Sequence, residues 1–375
     1  MSKLFPGILA VFFLAFFLLG ALHAADFKQG DWESLVKAAK AEGQLVLLNS
    51  EYYEILFAEF EKKFPGIKVI AGSGRASQQV QRAMSERRAG KYLADLFIDG
   101  ASTGYSVLYK SKALEPIKPT LVLPEVVDDS KWWMSGKHNY ADEERSYIFS
   151  FNWELQPYYA YNTNLVNPKQ LRSYWDLLHP RWQGKMVALD PAVGGPVATP
   201  LRFIYYHQEL GPEFLKRLLG EMDLVLSRDL RQISDWLATG KFAIGVFIDP
   251  PRTGIVEAKG QGLSVDWFAP KNFKEGIPLS NGSGNIALFN RAPHPNAARL
   301  AINWLLSREG QIAFQKVFVP RRLSTNSARI DIPKDEIPEE FRLVEGGNYV
   351  VTERPEWMDI APIMKLVDET LKRKK

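Results

Sequence analysis

The sequence predicts an α/β protein made of two sheet-and-helix units. Short apolar strands alternate with amphipathic helices after residue 30, a second such series opens near Met186, and 375 residues suffice for two cores. In the first series, Trp32, Leu35, Val36 and Ala39 fall at helical spacing, and Gly43 stops that helix. Leu45–Leu48 reads as a buried strand. Tyr53, Leu56, Phe57, Phe60 and Phe64 form one helical stripe, closed by Pro65-Gly66. Ile67–Ile70 is the next strand, a helix runs through Val80 and Met84, and Leu96–Ile98 is the third strand. Apolar strands alternating with helices imply a mostly parallel sheet covered on both faces, with ligands bound beyond the carboxyl ends of the strands.

The second series opens with the strand Met186–Leu189. Helices are expected over Thr199–Gln208, Pro212–Leu219 and Leu230–Leu237, with strands at Phe242–Ile248 and Ser264–Phe268. After Gly282-Ser283-Gly284 the chain returns to a strand, Asn285–Phe289. An amphipathic helix then carries Ala297, Leu300, Ala301, Trp304 and Leu305. A final helix carries Ile360, Ile363, Met364, Val367 and Leu371, before a basic tail, Lys372–Lys375, expected to be a solvated end.

The N-terminus has the order of a secretory signal peptide: Lys3, an uncharged run from Pro6 to Leu22, then Ala24-Ala25. Its apolar core is shorter than the roughly 20 residues a membrane span needs. Cleavage after Ala24 is expected, leaving a periplasmic mature chain of 351 residues. The chain has no cysteine, which excludes disulfides, thiolate metal sites and a lipid-modified cysteine. With 47 basic and 43 acidic side chains the net charge is only +4, which gives no footprint for nucleic acid or anionic lipid. The 22 Phe, 14 Tyr and 10 Trp point to large aromatic cores or an aromatic-lined cleft.

Four segments in order carry a family resemblance. Trp32-Glu33-Ser34-Leu35 leads through Ala38–Gly43 into the first strand. Tyr161-Asn162-Thr163-Asn164 precedes Trp175-Asp176-Leu177-Leu178. Trp182-Gln183-Gly184-Lys185 leads into the Met186 strand, and Trp304–Gln311 comes late. Together they resemble the family 1 extracellular solute-binding proteins of ATP-driven importers, especially the ferric-ion-binding branch, over roughly residues 30 to 330. The resemblance implies the type II periplasmic-binding-protein fold: two α/β lobes joined by two crossover strands, with the solute in the cleft between them. By analogy the crossings lie near Tyr158–Tyr161 and Pro278–Ser283. The expected organisation is a signal peptide at 1–24, a first lobe at 25–157, a second lobe at 158–281, and a return to the first lobe plus a C-terminal helix at 282–375. It also implies a monomer that needs no cofactor and docks on the permease subunits of an ABC importer in the inner membrane.

In the ferric members, iron is held by a His and a Glu from the first lobe and two adjacent Tyr from the second. Here the His position corresponds to Tyr52, within Ser50-Glu51-Tyr52, and the Glu position to Gly100, beside Asp99. Asp249-Pro250-Pro251 stands where the paired Tyr are expected. A ferric site would therefore rest on Tyr52, Asp99 and Asp249, whose hard oxygens suit the ion. Tyr205-Tyr206 sits inside a helical segment, where packing is the expected role, and Tyr158, Tyr159 and Tyr161 are expected to pack in a strand.

The basic residues support another ligand. Gly74, Arg75 and Ser77 lie between a strand end and a helix start, where backbone N–H groups, hydroxyls and a guanidinium favour a carboxylate or phosphate. Gly194 and Gly195 form the counterpart loop of the second unit. Arg228 precedes a helix that Ser227 or Asp229 would cap, and Arg252 follows the Asp249 turn. A small anionic solute is thus the first expectation, and ferric iron or a ferric complex the alternative. An exported hydrolase is a distant third. His138, His179, His207 and His294 are scattered, no nucleophile elbow or zinc-binding helix pair occurs, and no P-loop is present. A sensor that presents its closed form to a membrane receptor is indistinguishable from a transporter at this level.

Overall fold

The structure is a computed structural model that describes residues 29–155, 157–193, 197–248, 254–268, 273–321 and 324–373. The expected signal peptide and cleavage site lie outside these residues. In chain order the strands are β1 Gln44–Asn49, β2 Lys68–Ser73, β3 Leu96–Ile98, β4 Leu114–Glu115, β5 Asn139–Tyr140, β6 Ile148–Ser150 and β7 Asn152–Leu155. There follow β8 Tyr159–Asn162, β9 Met186–Leu189, β10 Val225–Ser227, β11 Ile244–Val246 and β12 Val265–Trp267. The chain returns through β13 Ile277–Ser280, β14 Asn285–Phe289, β15 Thr325–Ser327 and β16 Tyr349–Val351.

These strands form three sheets. The first runs β2-β1-β3-β14-β6-β5, with β4 paired to β14, and the second runs β10-β9-β11-β8-β12. Each opens with three parallel strands and then takes an antiparallel one, β14 or β8. The sheets are therefore mixed rather than mostly parallel. The reason is topological. The strand entering from the other unit starts at the carboxyl end of its parallel neighbours, so it runs against them. Asp99 N–H donates to Asn285 O, and Ile248 N–H donates to Tyr158 O, tying each strand exit to the start of the incoming strand.

Helix packing follows the apolar stripes. Gly43, at φ +70°, closes the first helix, α1 Gln29–Glu42, in the left-handed conformation that glycine adopts without steric cost. In α2, Tyr53–Lys63, the residues Tyr53, Leu56, Phe57 and Phe60 are buried. Phe57 and Phe60 meet Trp304 edge-on at 5.7 and 5.4 Å, which seats the helix Pro295–Leu306 beside α2. The next helix, α3, spans Ala76–Arg88. The second unit has its own core, from Tyr158 through Phe273, with Phe214, Leu218 and Phe203 from its helices.

The third sheet, β15-β7-β13-β16, links the two units. β7 and β13 pair antiparallel through Leu279–Leu155 and Ser280–Glu154, and these two strands are the crossovers. The first crossing therefore lies one strand earlier than Tyr158–Tyr161, because Tyr159–Asn162 is β8, inside the second sheet between β11 and β12. β15 and β16 widen the link on either side. The C-terminal helix Ala361–Arg373 ends on the second unit, with Ile363 and Val367 buried in its core.

Candidate functional site

The carboxyl ends of β1, β2 and β3 lie side by side because those strands pair in register, Asn49 beside both Ser73 and Ile98. They bring together Ser50, Gly74, Arg75, Asp99 and Gly100. Ser50 is buried, and its hydroxyl finds no partner among the described residues. Glu51 is exposed. Tyr52 caps α2 with φ 76°, a left-handed conformation that is unusual for an aromatic residue. Its ring packs edge-on against Phe318 at 6.2 Å, under the Arg321 guanidinium at 5.4 Å.

Beyond β2, Gln79 Nε2 donates to Asn49 O at 2.8 Å and to Gly74 O at 2.9 Å, pinning the loop that presents Arg75 and Ser77. Both of these side chains are exposed. Asp99 Oδ1 accepts from the Gly100 N–H at 2.7 Å, and Asn285 Nδ2 donates to Asp99 O at 3.1 Å. Gly100 begins a short helix, Ala101–Thr103, that runs on into a π-helical turn, Gly104–Tyr109.

The second unit mirrors this arrangement. β9 and β10 pair in parallel, so Asp190 and Arg228 leave adjacent strand ends and join through Arg228 Nε and Asp190 Oδ2 at 2.8 Å. Asp229 is the helix cap, accepting from the N–H groups of Arg231 and Gln232. Phe247, just past β11, has φ 60° although it is fully buried. Gly194, Gly195, Asp249 and Arg252 lie outside the described residues. No group of three His, Asp or Glu side chains placed to hold a metal occurs among the described residues. Tyr206 packs as expected of a helical tyrosine. Its ring stacks on Trp357 at 5.8 Å, and its hydroxyl donates to Asp359 O at 2.6 Å.

Between the strand ends lies a buried polar seam that sequence reading missed. Ser150, Asn152 and Glu154 alternate with Phe149, Phe151, Trp153 and Leu155, yet all seven are buried. Ser150 Oγ and Asn281 Nδ2 both reach Asn285 Oδ1, at 2.7 and 3.1 Å. Gly282 sits against Glu154, where a Cβ would come within 2.1 Å of Oε1. From the C-terminal segment, Glu353 accepts from Ser280 Oγ at 3.1 Å, from Asn281 N–H at 3.2 Å and from Thr352 Oγ1 at 2.8 Å. Arg202, from the helix Ala198–Tyr206 of the second unit, approaches Glu353 at 3.5 Å and donates from Nη2 to Ser102 Oγ of the first unit at 3.0 Å. The signal was the strict apolar–polar alternation over 149–155, which ordinarily marks a strand with one wet face. Here the polar face is buried at the junction of the two units.

Two α/β units are thus joined by a linking sheet over a buried polar seam. The family model for bacterial extracellular solute-binding protein matches residues 46–312, 267 of the 375. The chain belongs to that family. The extracellular solute-binding protein shares its two-lobed fold with several solved structures. The Trichodesmium protein IdiA (FutA), in complex with iron and citrate, is 19% identical with a TM-score of 0.64, over 88% of this chain and 99% of that one. A ferric binding protein from Campylobacter jejuni is 16% identical with a TM-score of 0.63, over 87% and 99%. AfuA from Actinobacillus pleuropneumoniae, with fructose-6-phosphate bound, is 16% identical with a TM-score of 0.56, over 88% and 98%. Among the described residues of the solute-binding protein, no helix is long and apolar enough to cross a membrane.

Proposed function

We propose that this solute-binding protein captures a small anionic solute, bearing a carboxylate or a phosphate, between its lobes. As a periplasmic monomer it delivers that solute to the permease subunits of an ABC importer. The observation that carries this reading is the placement of cationic side chains at strand carboxyl ends in both lobes: Arg75 after β2 and Arg228 after β10, both exposed. Guanidinium groups bind carboxylate and phosphate through paired, charge-assisted hydrogen bonds. A solute touching both lobes favours the closed form by the difference in its affinity for the two states. Ser50, Glu51, Tyr52, Gly74, Ser77, Asp99, Gly100, Gly194, Gly195, Asp249 and Arg252 complete the proposed site. One of the similar structures holds iron together with citrate and another holds fructose-6-phosphate, so an anion accompanies the ligand in both, which supports the reading.

Ferric iron or a ferric complex is the second reading. The backbone strain at Tyr52 favours it, since such strain gathers at binding sites, and Asp99 and Asp249 would complete an oxygen-rich set. One experiment separates the two. The purified mature protein is heated with citrate, inorganic phosphate, fructose 6-phosphate, fructose or ferric citrate, and its visible absorption is recorded. A colourless protein whose melting temperature rises with the anions and not with fructose supports the anionic reading. A visible band that appears with iron, with no response to the iron-free anions, overturns it in favour of ferric binding.

A further inference from the structure

We infer that Arg202 anchors the charged group of the solute at the base of the cleft. This inference rests on the anionic-solute reading above. Arg202 is 1% exposed, so its charge lies away from water and needs compensation from its neighbours. A guanidinium offers five N–H donors in a planar fork. Its Nη1 meets Glu353 only at 3.5 Å, its Nη2 meets the neutral hydroxyl of Ser102 at 3.0 Å, and its Nε finds no acceptor among the described residues. Glu353 is served far better. Thr199, Ser280, Thr352 and the Asn281 N–H all donate to it, so its charge is met largely without the arginine.

The position is as informative as the deficit. Arg202 belongs to the second lobe and Ser102 follows Gly100 at a strand exit of the first, so this hydrogen bond bridges the lobes where they meet the linking sheet. A carboxylate or phosphate oxygen that displaces the Ser102 hydroxyl exchanges a neutral acceptor for a charged one. Hydrogen bonds of that kind are about twice as strong. The same oxygen would hold both lobes at once, coupling binding to closure. Ser102 then acts as the acceptor of the empty clamp.

Calorimetric titration of the wild type, Arg202→Met, Arg202→Lys and Ser102→Ala with inorganic phosphate, citrate, fructose 6-phosphate and fructose tests the assignment. The wild type is expected to bind at least one anion and to prefer fructose 6-phosphate over fructose. Arg202→Met should weaken anion binding by about 10- to 100-fold, the span of one charged hydrogen-bonding partner, and should erase the preference for the phosphate ester. Arg202→Lys should recover part of the affinity, since it keeps the charge without the fork. Ser102→Ala should raise anion affinity, because the acceptor that competes with the solute is gone. An unchanged or lowered affinity would count against the exchange, which keeps the test decisive if Arg202→Met fails to fold. A purely structural Arg202 would leave the preference for the charged ester unchanged. If the wild type binds anions and Arg202→Met binds them equally, the anchor assignment is overturned and the anionic reading stands. If the wild type binds none of the three anions, the anionic reading is overturned, and the role of Arg202 with it.

Discussion

At the scale of single residues, Lys334 shows what burial does to a charge. Its ammonium donates to the carbonyls of Arg329 and Ile332 and lies 5.5 Å over the Trp133 ring. Burial pushes its pKa down to about 8, against the opposing pull of Asp331. The unfolded chain keeps the ordinary lysine value, about 10.4. Between these two values the unfolded state binds more protons, so stability rises with pH across that window and the charged lysine is a burden at neutral pH. Thermal melts followed by circular dichroism should show the wild type gaining stability from pH 8 to 9.5. Lys334→Met should be the more stable at pH 7 and should lack that gain. A rise of equal size in the variant would assign it to other groups. Lys334 and Phe247 were not legible in the sequence as special, since a backbone angle or a buried ammonium follows from tertiary packing and leaves no local pattern. Tyr52 was singled out by the family resemblance rather than by its backbone angle.

At the scale of elements, legibility followed the hydrophobic signal. Leu96–Ile98 and Met186–Leu189 are continuous apolar runs, Asn285–Phe289 is apolar after its first residue, and all three form strands over those same residues. Thr325–Ser327 carries no apolar residue, yet it pairs with β7 in a fully buried part of the linking sheet, where Asn326 and Ser327 find hydrogen-bond partners. Ser327 Oγ, for example, donates to Gln311 Oε1 at 2.6 Å. The candidate loops were proposed from the rule that ligand sites follow strand carboxyl ends. Arg202 and Glu353 were not, because one sits in a helix and the other beyond the last strand. The C-terminal helix is itself a structural part of the second lobe. Val367 is 1% exposed in that core, and Thr370 lies against Gly220 of the facing helix. Val367→Asp would bury a carboxylate without a partner, a loss of about 3 kcal/mol or more. A lowered urea midpoint should accompany faster amide exchange across residues 361–373. An unchanged midpoint would mean that the helix is dispensable for the fold.

At the scale of the whole molecule, the clamp predicts a change of shape. A single compact domain of this length has a radius of gyration of about 20 Å. Two lobes standing open around a solute would exceed that, and closure would bring the value down. Small-angle X-ray scattering should show the radius falling when a binding anion is added, and an identical profile with and without it would rule out lobe closure.

The place of β14 in the first sheet bears on how the chain is made. β3 pairs on one side with β1, its near neighbour in sequence, and on the other with β14, which is encoded far downstream. Until β14 emerges, the nascent first lobe carries an unsatisfied sheet edge, and its two halves have no strand to join them. Such long-range pairing slows folding, because loop-closure entropy is lost before the contacts that compensate for it can form. Late completion of the sheet leaves the first lobe unfinished until most of the chain has been made. The same exposed edge makes the unfinished chain prone to pair with other chains.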